Sequence, residues 1–463
     1  MECAFSSRSP LGVSACQMGQ AEACPREGAR AGRRAWLPIA DKSAYRESME
    51  NAVATIRMGA VPETWRAAPR RWGHPLHGLC SYFAMFPPQM ASVFIRWLTV
   101  PGDVVFDPFA GRGTVPLEAL LHGRSGLGAD ANPLAHALTG AKVNIPSAES
   151  VQRRLRNLEA EYTAPRVATA DIPEDIRMLY SPATLRQLVY LRDRLRRGHR
   201  VDGFLTALVL GMLHANHSAA GATRGFSISM PNTFAMAPGY VRNYIAQNGL
   251  LAPDLDVFAM LRVRATRYGL PMTAVSGGRS WLRDAARSTP RPVRAARPRL
   301  VFTSPPYLQV IKYGKYNWVR LWFLKHEAKQ VDQGLMSSAS LPRYLAFMDD
   351  VLANLKAAVA DDGFVCLVIG DVRRGEEQLN LAGKVWRHVA EPAGWHCHGI
   401  ITDGLPTGSK VSRIWKNNPG RATKTDRLLL LSPSAEVALP PLEAIDWDEI
   451  PSLVKRSTEE VEC

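Results

Sequence analysis

The sequence predicts an α/β fold built around a mostly parallel sheet. Two short runs of consecutive apolar residues, Val104–Phe106 and Leu300–Phe302, have the pattern of strands that are covered on both faces. The first run leads through a glycine-rich turn into a helical pattern, as in the strand–turn–helix units of parallel sheets. A long stretch of mainly helical patterning, from about residue 146 to 268, interrupts this rhythm. The chain therefore predicts a parallel sheet with a largely helical insertion.

Composition limits the classes of protein. With 463 residues, 46% of them hydrophobic, the chain has room for one large domain with insertions or for two ordinary domains. Lys and Arg number 57 against 42 Asp and Glu, and the net charge of +15 predicts a polyanionic partner. The seven cysteines include no Cys-x-x-Cys pair, so neither a disulfide framework nor a zinc site is indicated. The longest apolar run, Phe204–Leu213, is too short to cross a bilayer, so we expect a soluble, cytoplasmic protein.

The first strand ends in a motif suited to a nucleotide cofactor. Val104–Phe106 follows an amphipathic helix with apolar residues from Met90 to Leu98, and runs into Asp107-Pro108-Phe109-Ala110-Gly111-Arg112-Gly113-Thr114. Glycines at 111 and 113 let the backbone approach a ligand, and the helix predicted over Val115–Leu121 begins with free amide groups. The spacing is neither that of a dinucleotide fingerprint nor that of a phosphate loop. A carboxylate at Asp107 suits an amino group or hydroxyls better than phosphate.

A second acid follows at the tip of the next predicted strand. Ser125–Ala129 is that strand, and Asp130 ends it before Ala131-Asn132-Pro133. An acid about twenty residues after a glycine loop is placed to accept hydrogen bonds from a ribose diol. The alternative is an ordinary helix start, with Asn132 as its N-cap before Pro133, and the two roles are compatible.

The insertion combines helices with an irregular polar stretch. Helical patterns cover Val151–Tyr162, Ala183–Arg196 and Phe204–Leu213. The glycine-rich stretch His214–Pro238 follows, and its hydroxyls, amides, aromatic rings and Arg224 suit contact with bases and phosphates. We expect the helices to be scaffold.

The strand rhythm is predicted to resume near Met272–Val275. Asp284 then lies beyond the third strand, where it is either a partner for an adenine amino group or a solvated loop acid. Arginines at 287, 291, 294, 297 and 299 precede the Leu300–Phe302 strand, and we expect phosphate contacts from Arg287, Arg291 and Arg294. A basic loop with Lys410, Arg413 and Lys416 is expected to do the same.

The C-terminal half completes the predicted sheet. Its elements are a helix over Tyr344–Val359 and strands over Phe364–Ile369, Cys397–Ile401 and Arg427–Leu431. His396 and His398 share a strand face, but without a third ligand they indicate packing rather than a metal site.

The loop after Leu300–Phe302 is the hardest feature to explain as ordinary structure. It reads Thr303-Ser304-Pro305-Pro306-Tyr307, and its two prolines remove backbone donors and stiffen the chain. Its carbonyl groups are therefore free to accept hydrogen bonds from an amino-group ligand. Open α/β sheets bind ligands at the carboxyl ends of their strands, which favours a functional loop over a simple strand end.

Together, Asp107–Thr114 and Thr303–Tyr307 resemble the cofactor and catalytic motifs of the amino-group DNA methyltransferases. The resemblance implies a Rossmann-like class I methyltransferase fold with a seven-stranded sheet, S-adenosyl-L-methionine as cofactor, and no metal. It implies cofactor contacts from Asp107, Phe109, Gly111, Gly113, Thr114, Asp130, Asp284 and Thr303, and a catalytic role for Ser304, Pro305, Pro306 and Tyr307. Arg112 departs from the family pattern, since a small residue is common at that position.

The serine of the loop resembles the cytosine-N4 branch of that family, which implies methylation of a flipped cytosine in double-stranded DNA. The alternatives are adenine-N6 methylation and, less favoured, methylation of an RNA amino group. A DNA-binding protein with a decayed enzyme fold is disfavoured, because Asp107, Asp130 and the loop Ser304–Tyr307 are all intact. The resemblance further implies a restriction–modification or orphan enzyme in a prokaryotic nucleoid, the former with a cognate restriction endonuclease.

The predicted domain organisation follows from these motifs. We expect a mobile arm over 1–40, a first part of the methyltransferase domain over 41–145, and a helical insertion with a recognition role over 146–270. The second part, with the catalytic motif, spans 271–432, and a C-terminal tail spans 433–463.

Overall fold

The strands form one sheet in the order β3-β2-β1-β4-β5-β8-β7, with β6 paired to the end of β5. Only β8 and β6 run antiparallel to their neighbours, among the strands described. The strands are β1 Val104–Asp107, β2 Ser125–Asp130, β3 Arg279–Leu282, β4 Leu300–Thr303, β5 Phe364–Arg374, β6 Glu377–Leu379, β7 His396–Gly404 and β8 Ala422–Ser432. This seven-strand order, with the short β6 off its path, confirms the predicted Rossmann-like α/β fold of the class I methyltransferase type.

These elements come from a computed structural model. It describes residues 73–82, 87–215, 225–230, 236–268, 277–308, 312–374, 377–404, 422–442 and 445. All of them belong to one unit, Met49–Cys463. The predicted N-terminal arm, the strand predicted near Met272–Val275 and most of the predicted tail lie outside the described residues. The described third strand, Arg279–Leu282, lies a few residues later than that prediction.

Helices cover both faces of the sheet. They are α1 Pro88–Leu98, α2 Thr114–Leu121, α3 Pro133–Val143, α4 Ala148–Glu161, α5 Glu174–Arg177, α6 Pro182–Arg194, α7 Arg200–Leu210, α8 Pro238–Gln247, α9 Val257–Thr266, α10 Arg291–Ala296, α11 Tyr313–Tyr316, α12 Trp318–Phe323, α13 Ala328–Gly334, α14 Leu341–Lys356 and α15 Leu381–Val385. Short 3₁₀ turns lie at Pro75–Gly78 and Ala164–Arg166, and a π turn lies at Trp386–Ala390. The helices predicted from periodicity are present, with ends displaced by a few residues.

The continuous apolar strands are buried on both faces, as their pattern predicts. In β4, Leu300, Val301 and Phe302 are each fully buried. Val301 packs on the side of α14, whereas Leu300 and Phe302 pack on the side of α1, where Phe302 lies 5.1 Å from the Phe94 ring. Because both faces are covered, a ligand can reach these strands only at their ends, and in open α/β sheets ligands bind at the carboxyl ends.

The segment between β2 and β3 builds a helical layer. Its helix α7 packs against α3, and α4 and α9 pack on α7. Arg320, a buried arginine of α12, links this layer to the segment that follows the 3₁₀ turn Pro75–Gly78. It donates to the Leu210 carbonyl at 3.1 Å and to the Ser81 hydroxyl at 2.8 Å. In the part of the chain that is described, no helix is long and apolar enough to span a membrane.

Candidate active site

A cavity opens at the carboxyl ends of β1, β2, β4 and β5. This edge includes the point between β1 and β4 where the strand order reverses, the usual ligand position in open α/β sheets. Its lining comprises Tyr82, Asp107, Phe109, Ala110, Gly111, Arg112, Thr114, Asp130, Ala131, Asn132, Asp284, Ala285, Ser304, Pro305, Pro306, Tyr307, Tyr313, Gly334, Leu335, Met336, Phe347, Asp371 and Val372. The predicted donor and catalytic motifs therefore face one cavity.

The glycine turn after β1 needs both of its glycines. Gly111 and Gly113 have φ of +52° and +78°, a left-handed conformation that other residues adopt at a cost. A Cβ on Gly113 would lie 2.9 Å from the Thr139 Cα atom in α3, so this glycine also permits close packing. Gly111 lines the cavity and Gly113 does not. Gly113 therefore supports the conformation of the turn through its packing against α3 and does not itself face the cavity.

Asp107 at the end of β1 is buried and held by two hydrogen bonds. Its Oδ1 accepts from the Thr303 hydroxyl at 2.6 Å and from the Phe109 amide at 3.0 Å. Burial raises the pKa of Asp107 to about 7, although these two hydrogen bonds oppose the rise. The carboxylate lacks a cation among the described residues, so a positively charged ligand in the cavity would favour its ionised form.

Asp130 at the end of β2 receives one backbone donor on each oxygen. The Gly111 amide donates to Oδ2 at 2.9 Å, and the Asn132 amide donates to Oδ1 at 2.8 Å. Burial raises the pKa of Asp130 to about 6, against the effect of these bonds. The carboxylate is thereby fixed in orientation, and its remaining lone pairs can accept from ligand hydroxyls.

Asn132 performs the helix-capping role that the sequence suggested beside Asp130. Its Oδ1 accepts from the Leu134 amide at 3.0 Å and caps α3. Its Nδ2 donates to the Tyr82 hydroxyl at 3.0 Å, and the Tyr82 ring lies 5.7 Å from that of Tyr313. The cap residue thus also positions an aromatic wall of the cavity, to which Tyr82 and Tyr313 both belong.

Asp284 and Phe109 line another part of the cavity. Asp284 follows β3 and is about one-third exposed; its Oδ1 accepts from the Ala286 amide at 3.0 Å. Arg287 lies 3.5 Å from Oδ2. The Phe109 ring contacts Phe347 of α14 at 5.9 Å between centroids. An acid that lines the same cavity as this pair of aromatic rings suits a planar base that carries an amino group.

The loop after β4 presents Ser304, Pro305, Pro306 and Tyr307 to the cavity. The Ser304 hydroxyl donates to the Tyr307 hydroxyl at 3.2 Å. Gly370 at β5 leaves room for this ring, because a Cβ there would lie 2.8 Å from the Tyr307 Cε2 atom. Burial raises the pKa of Tyr307, so it stays protonated. The serine and tyrosine are therefore coupled within the loop.

Asp371, which the sequence did not single out, also contributes to the cavity. Its fully buried carboxylate accepts from Arg427 Nε at 2.9 Å and from Gln378 Nε2 at 2.6 Å. The sequence signal was Gly370-Asp371 directly after the apolar run Phe364–Ile369, the same strand-then-acid pattern as Asp107 and Asp130. Its partners come from β6 and β8, which only the sheet order identifies.

Comparison with known proteins finds matches in the part of the chain that contains the first motif, Asp107–Thr114. Residues 44–139 match a family model described as DNA methylase, of the N6/N4 methyltransferase type. The type II methyltransferase M.MvaI of Kocuria varians is 36% identical over 81 residues, which are 17% of this chain and 18% of that protein. The chain thus matches about a fifth of the length of that curated relative. This similarity supports the class of amino-group DNA methyltransferases and does not distinguish cytosine-N4 from adenine-N6.

Solved structures give a looser overlap. TrmN from Thermus thermophilus aligns at a TM-score of 0.30 and 12% identity, covering 77% of this chain and 52% of that one. The rRNA methyltransferase aviRa from Streptomyces viridochromogenes aligns at 0.30 and 13% identity, covering 81% and 96%. These scores are too low to define the fold, which rests on the strand order itself.

Most predicted cofactor residues line the cavity, but Thr303 and Gly113 do not. Thr303 is fully buried and reaches the cavity through its hydrogen bond to Asp107. Its side chain, on the last residue of β4, points at the neighbouring strand and positions the Asp107 carboxylate, while its cofactor contact stays a prediction.

The arginines before β4 are spread along the sheet. The chain crosses from the carboxyl end of β3 to the amino end of β4 over this segment, since the strands are parallel. Arg287 is exposed and lies close to Asp284, whereas Arg291 and Arg294 lie on the exposed face of α10. Arg297 and Arg299 pair with Asp361 and Asp362 beside the amino ends of the strands. Closeness in sequence to the loop does not bring these last two to it.

The remaining residues predicted to contact nucleic acid fall in parts of the chain that the structure does not describe. Arg224, Lys410, Arg413 and Lys416 lie outside the described residues.

His396 and His398 have rings 4.8 Å apart, and His398 Nε2 lies 2.9 Å from the Ser432 hydroxyl. Within the described ranges, no three His, Cys, Asp or Glu side chains group as metal ligands.

Proposed function

We propose that this protein is an S-adenosylmethionine-dependent DNA methyltransferase that modifies the N4 amino group of cytosine. The observation that carries the proposal is that Ser304–Tyr307 faces the same cavity as the Asp107 and Asp130 carboxylates. A loop that can accept hydrogen bonds from an amino group then lies beside a pocket suited to a methyl donor. The family match over residues 44–139 and the M.MvaI similarity support the same class.

The cavity residues fit S-adenosylmethionine. Burial raises the pKa values of Asp107 and Asp130 in the ligand-free protein, as expected for buried acids whose ionised forms a cationic ligand would stabilise. The two backbone hydrogen bonds of Asp130 leave lone pairs for the ribose hydroxyls, and Asp284, which lines the same cavity as Phe109, suits the adenine amino group. When bound, S-adenosylmethionine supplies a methyl group activated by a sulfonium.

The catalytic loop would prepare the amino nitrogen for attack. The lone pair of a cytosine amino group is delocalised into its ring, which makes the nitrogen a weak nucleophile. Hydrogen bonds from its N–H groups to the Ser304 hydroxyl oxygen and the Pro305 carbonyl would favour a pyramidal nitrogen with a localised lone pair. That lone pair would be available to the methyl group that bound S-adenosylmethionine would supply, with the sulfur keeping the electron pair of the broken S–C bond, and the nitrogen would lose one proton to water. Positioning supplies much of the rate.

The target base must leave the duplex to reach this loop. Tyr307, beside Ser304, offers an aromatic face for stacking, and Gly370 leaves the space that its ring needs. The net charge of +15 suits binding to the DNA phosphates. A cognate restriction endonuclease would be the partner if the enzyme belongs to a restriction–modification pair.

Ser304 supports cytosine over adenine, because the resembling adenine-N6 motifs usually carry Asp or Asn at that position. Adenine-N6 methylation by the same pocket is the second candidate, since the family match covers both bases. RNA methylation is a third candidate, which the match to a DNA methylase family disfavours.

Transfer of labelled methyl groups tests the class of reaction. The purified chain would be incubated with methyl-labelled S-adenosylmethionine and either double-stranded DNA from a methylation-deficient host or RNA. We expect label in the DNA. Asp130→Ala should lower transfer by weakening donor binding, measured by calorimetry. Label in RNA alone would contradict the proposed substrate, and transfer to neither would contradict the enzyme assignment.

A further inference from the structure

The charges that line the cavity are strongly unequal. Among the described lining residues four are acidic, namely Asp107, Asp130, Asp284 and Asp371, and Arg112 is the single basic one. S-adenosylmethionine carries two positive groups, the sulfonium and the α-ammonium, and one negative group, the α-carboxylate. The acids suit the positive groups, whereas the carboxylate needs a different partner.

Arg112 is held in the cavity wall with part of its guanidinium unused. Nη1 donates to the His77 carbonyl at 2.8 Å, and Nε donates to the Thr114 hydroxyl at 3.2 Å. No described residue accepts a hydrogen bond from Nη2 or places a carboxylate in ion-pair range of this arginine. Burial lowers the pKa of Arg112 to about 10, so the group remains charged at neutral pH.

The backbone of Arg112 is also braced from behind. Lys142 of α3 is fully buried, and its Nζ donates to the Arg112 carbonyl at 2.6 Å. The residue therefore sits in a fixed turn between Gly111 and Gly113, both of which have positive φ. A fixed, half-buried cation without a counter-charge is unfavourable in the ligand-free protein unless a ligand completes it.

We infer that Arg112 binds the carboxylate of the amino-acid portion of the methyl donor. The inference rests on the proposed function and assigns a donor-recognition role to a residue that departs from the family pattern. The guanidinium keeps its bonds to His77 and Thr114, and Nη2 supplies a charge-assisted hydrogen bond to the ligand. Among the lining residues that the structure describes, the one cation is thereby matched with the single anionic group of the donor.

Decarboxylated S-adenosylmethionine provides the sharpest probe. It lacks only the carboxylate and carries one more net positive charge, so Asp107 and Asp130, for which no ion pair is found among the described residues, would by themselves favour it. If Arg112 binds the carboxylate, the wild-type chain should instead bind S-adenosylmethionine at least about tenfold more tightly. Calorimetric titration of the full chain with each ligand measures both affinities. Equal affinity, or tighter binding of the decarboxylated ligand, would overturn the inference without variants.

Substitution then identifies the residue. Arg112→Gln should weaken S-adenosylmethionine about 10- to 100-fold and change the decarboxylated ligand by less than about threefold. Arg242→Gln, at an exposed arginine paired with Asp175, is the matched control and should change neither affinity. Equal losses for both ligands would show that Arg112 only braces the turn, and no loss for either would also overturn the inference.

The experiment separates this inference from the proposed function. A wild-type chain that binds neither ligand would overturn both. A chain that binds S-adenosylmethionine and transfers its methyl group, but does not distinguish the two ligands, would overturn only the role of Arg112. If Arg112→Gln does not fold, as judged by its melting transition, a wild-type chain that does not prefer S-adenosylmethionine would still overturn the inference.

Discussion

Thr303 donates its hydroxyl proton to the Asp107 carboxylate over 2.6 Å, which links the last residues of two adjacent parallel strands. The two residues are 196 positions apart in the chain and begin the two motifs on which the proposed function rests. Because both are buried, the hydrogen bond is shielded from water and couples the proposed donor site to the proposed catalytic loop. The position of the loop and the charge of the donor pocket therefore depend on each other.

Thr303→Val should weaken donor binding in a pH-dependent way. The variant keeps the shape of the side chain but removes the hydrogen bond that lowers the pKa of Asp107, so this pKa should rise from its value of about 7. We expect S-adenosylmethionine affinity to fall about 3- to 10-fold at pH 7 and to recover near pH 9. Calorimetry at both pH values measures this. Thr206→Val, at a buried threonine bonded to the Asp202 carbonyl in α7, is the control. A loss independent of pH would contradict the coupling.

Donor binding by the wild-type chain should weaken in acid. The pKa of Asp107 is raised to about 7 and that of Asp130 to about 6 in the ligand-free protein. A cationic donor favours the ionised carboxylates, so their protonation opposes binding as the pH falls through this range. Affinity should be constant above about pH 8 and fall by up to about tenfold per pH unit for each group protonated. Titrations in buffers of different ionisation enthalpy should detect proton release at pH 7. A flat pH profile would contradict the assignment of these acids.

Ser304→Ala should lower turnover much more than donor affinity. The serine oxygen is assigned to the target amino group, not to the donor, so we expect kcat to fall about 100-fold with the donor Kd within about threefold. Single-turnover methyl transfer and calorimetry measure the two quantities. Tyr307→Phe removes only the hydroxyl to which Ser304 donates, and it should have a much smaller effect. Equal losses of turnover and donor affinity in the serine variant would remove its catalytic role.

Gly370→Ala should disturb the target-base side of the cavity alone. The new Cβ would lie 2.8 Å from Tyr307 Cε2 and 3.0 Å from Asp426 Oδ1, so the ring must move. We expect at least about a tenfold loss of kcat with little change in donor affinity. Gly239→Ala is the matched control, since a Cβ there meets nothing within 4 Å. Unchanged turnover in Gly370→Ala would show that the position of Tyr307 is unimportant.

The sequence predicted the parts of the fold that depend on local patterns. Apolar runs at Val104–Phe106 and Leu300–Phe302 gave β1 and β4, because a strand covered on both faces needs no polar alternation. The glycine turn and the acid at Asp130 followed from spacing along one strand–turn–helix unit. The strand predicted near Met272–Val275 lies outside the described residues, and the described third strand, Arg279–Leu282, has no continuous apolar run because it is short and only partly buried.

The pairings between distant elements could not be read from the sequence. The contact of Thr303 with Asp107, and that of Asp371 with Arg427, depend on which strands are neighbours. The arginines before β4 show the same limit, because a four-residue strand separates its two ends by about 13 Å. Arg299 and Ser304 are close in sequence but lie at opposite ends of β4, Arg299 before its amino end and Ser304 after its carboxyl end.

The identity of the methylated base tests the central proposal most directly. The chain would be expressed in a methylation-deficient host, and the host DNA would be digested to nucleosides for mass spectrometry and sequenced with detection of both modifications. The account predicts N4-methylcytosine at one defined sequence context, lost in the Ser304→Ala variant. N6-methyladenine without N4-methylcytosine would contradict the assignment of the base, and unmodified DNA from a host that contains the folded chain would contradict the proposed activity.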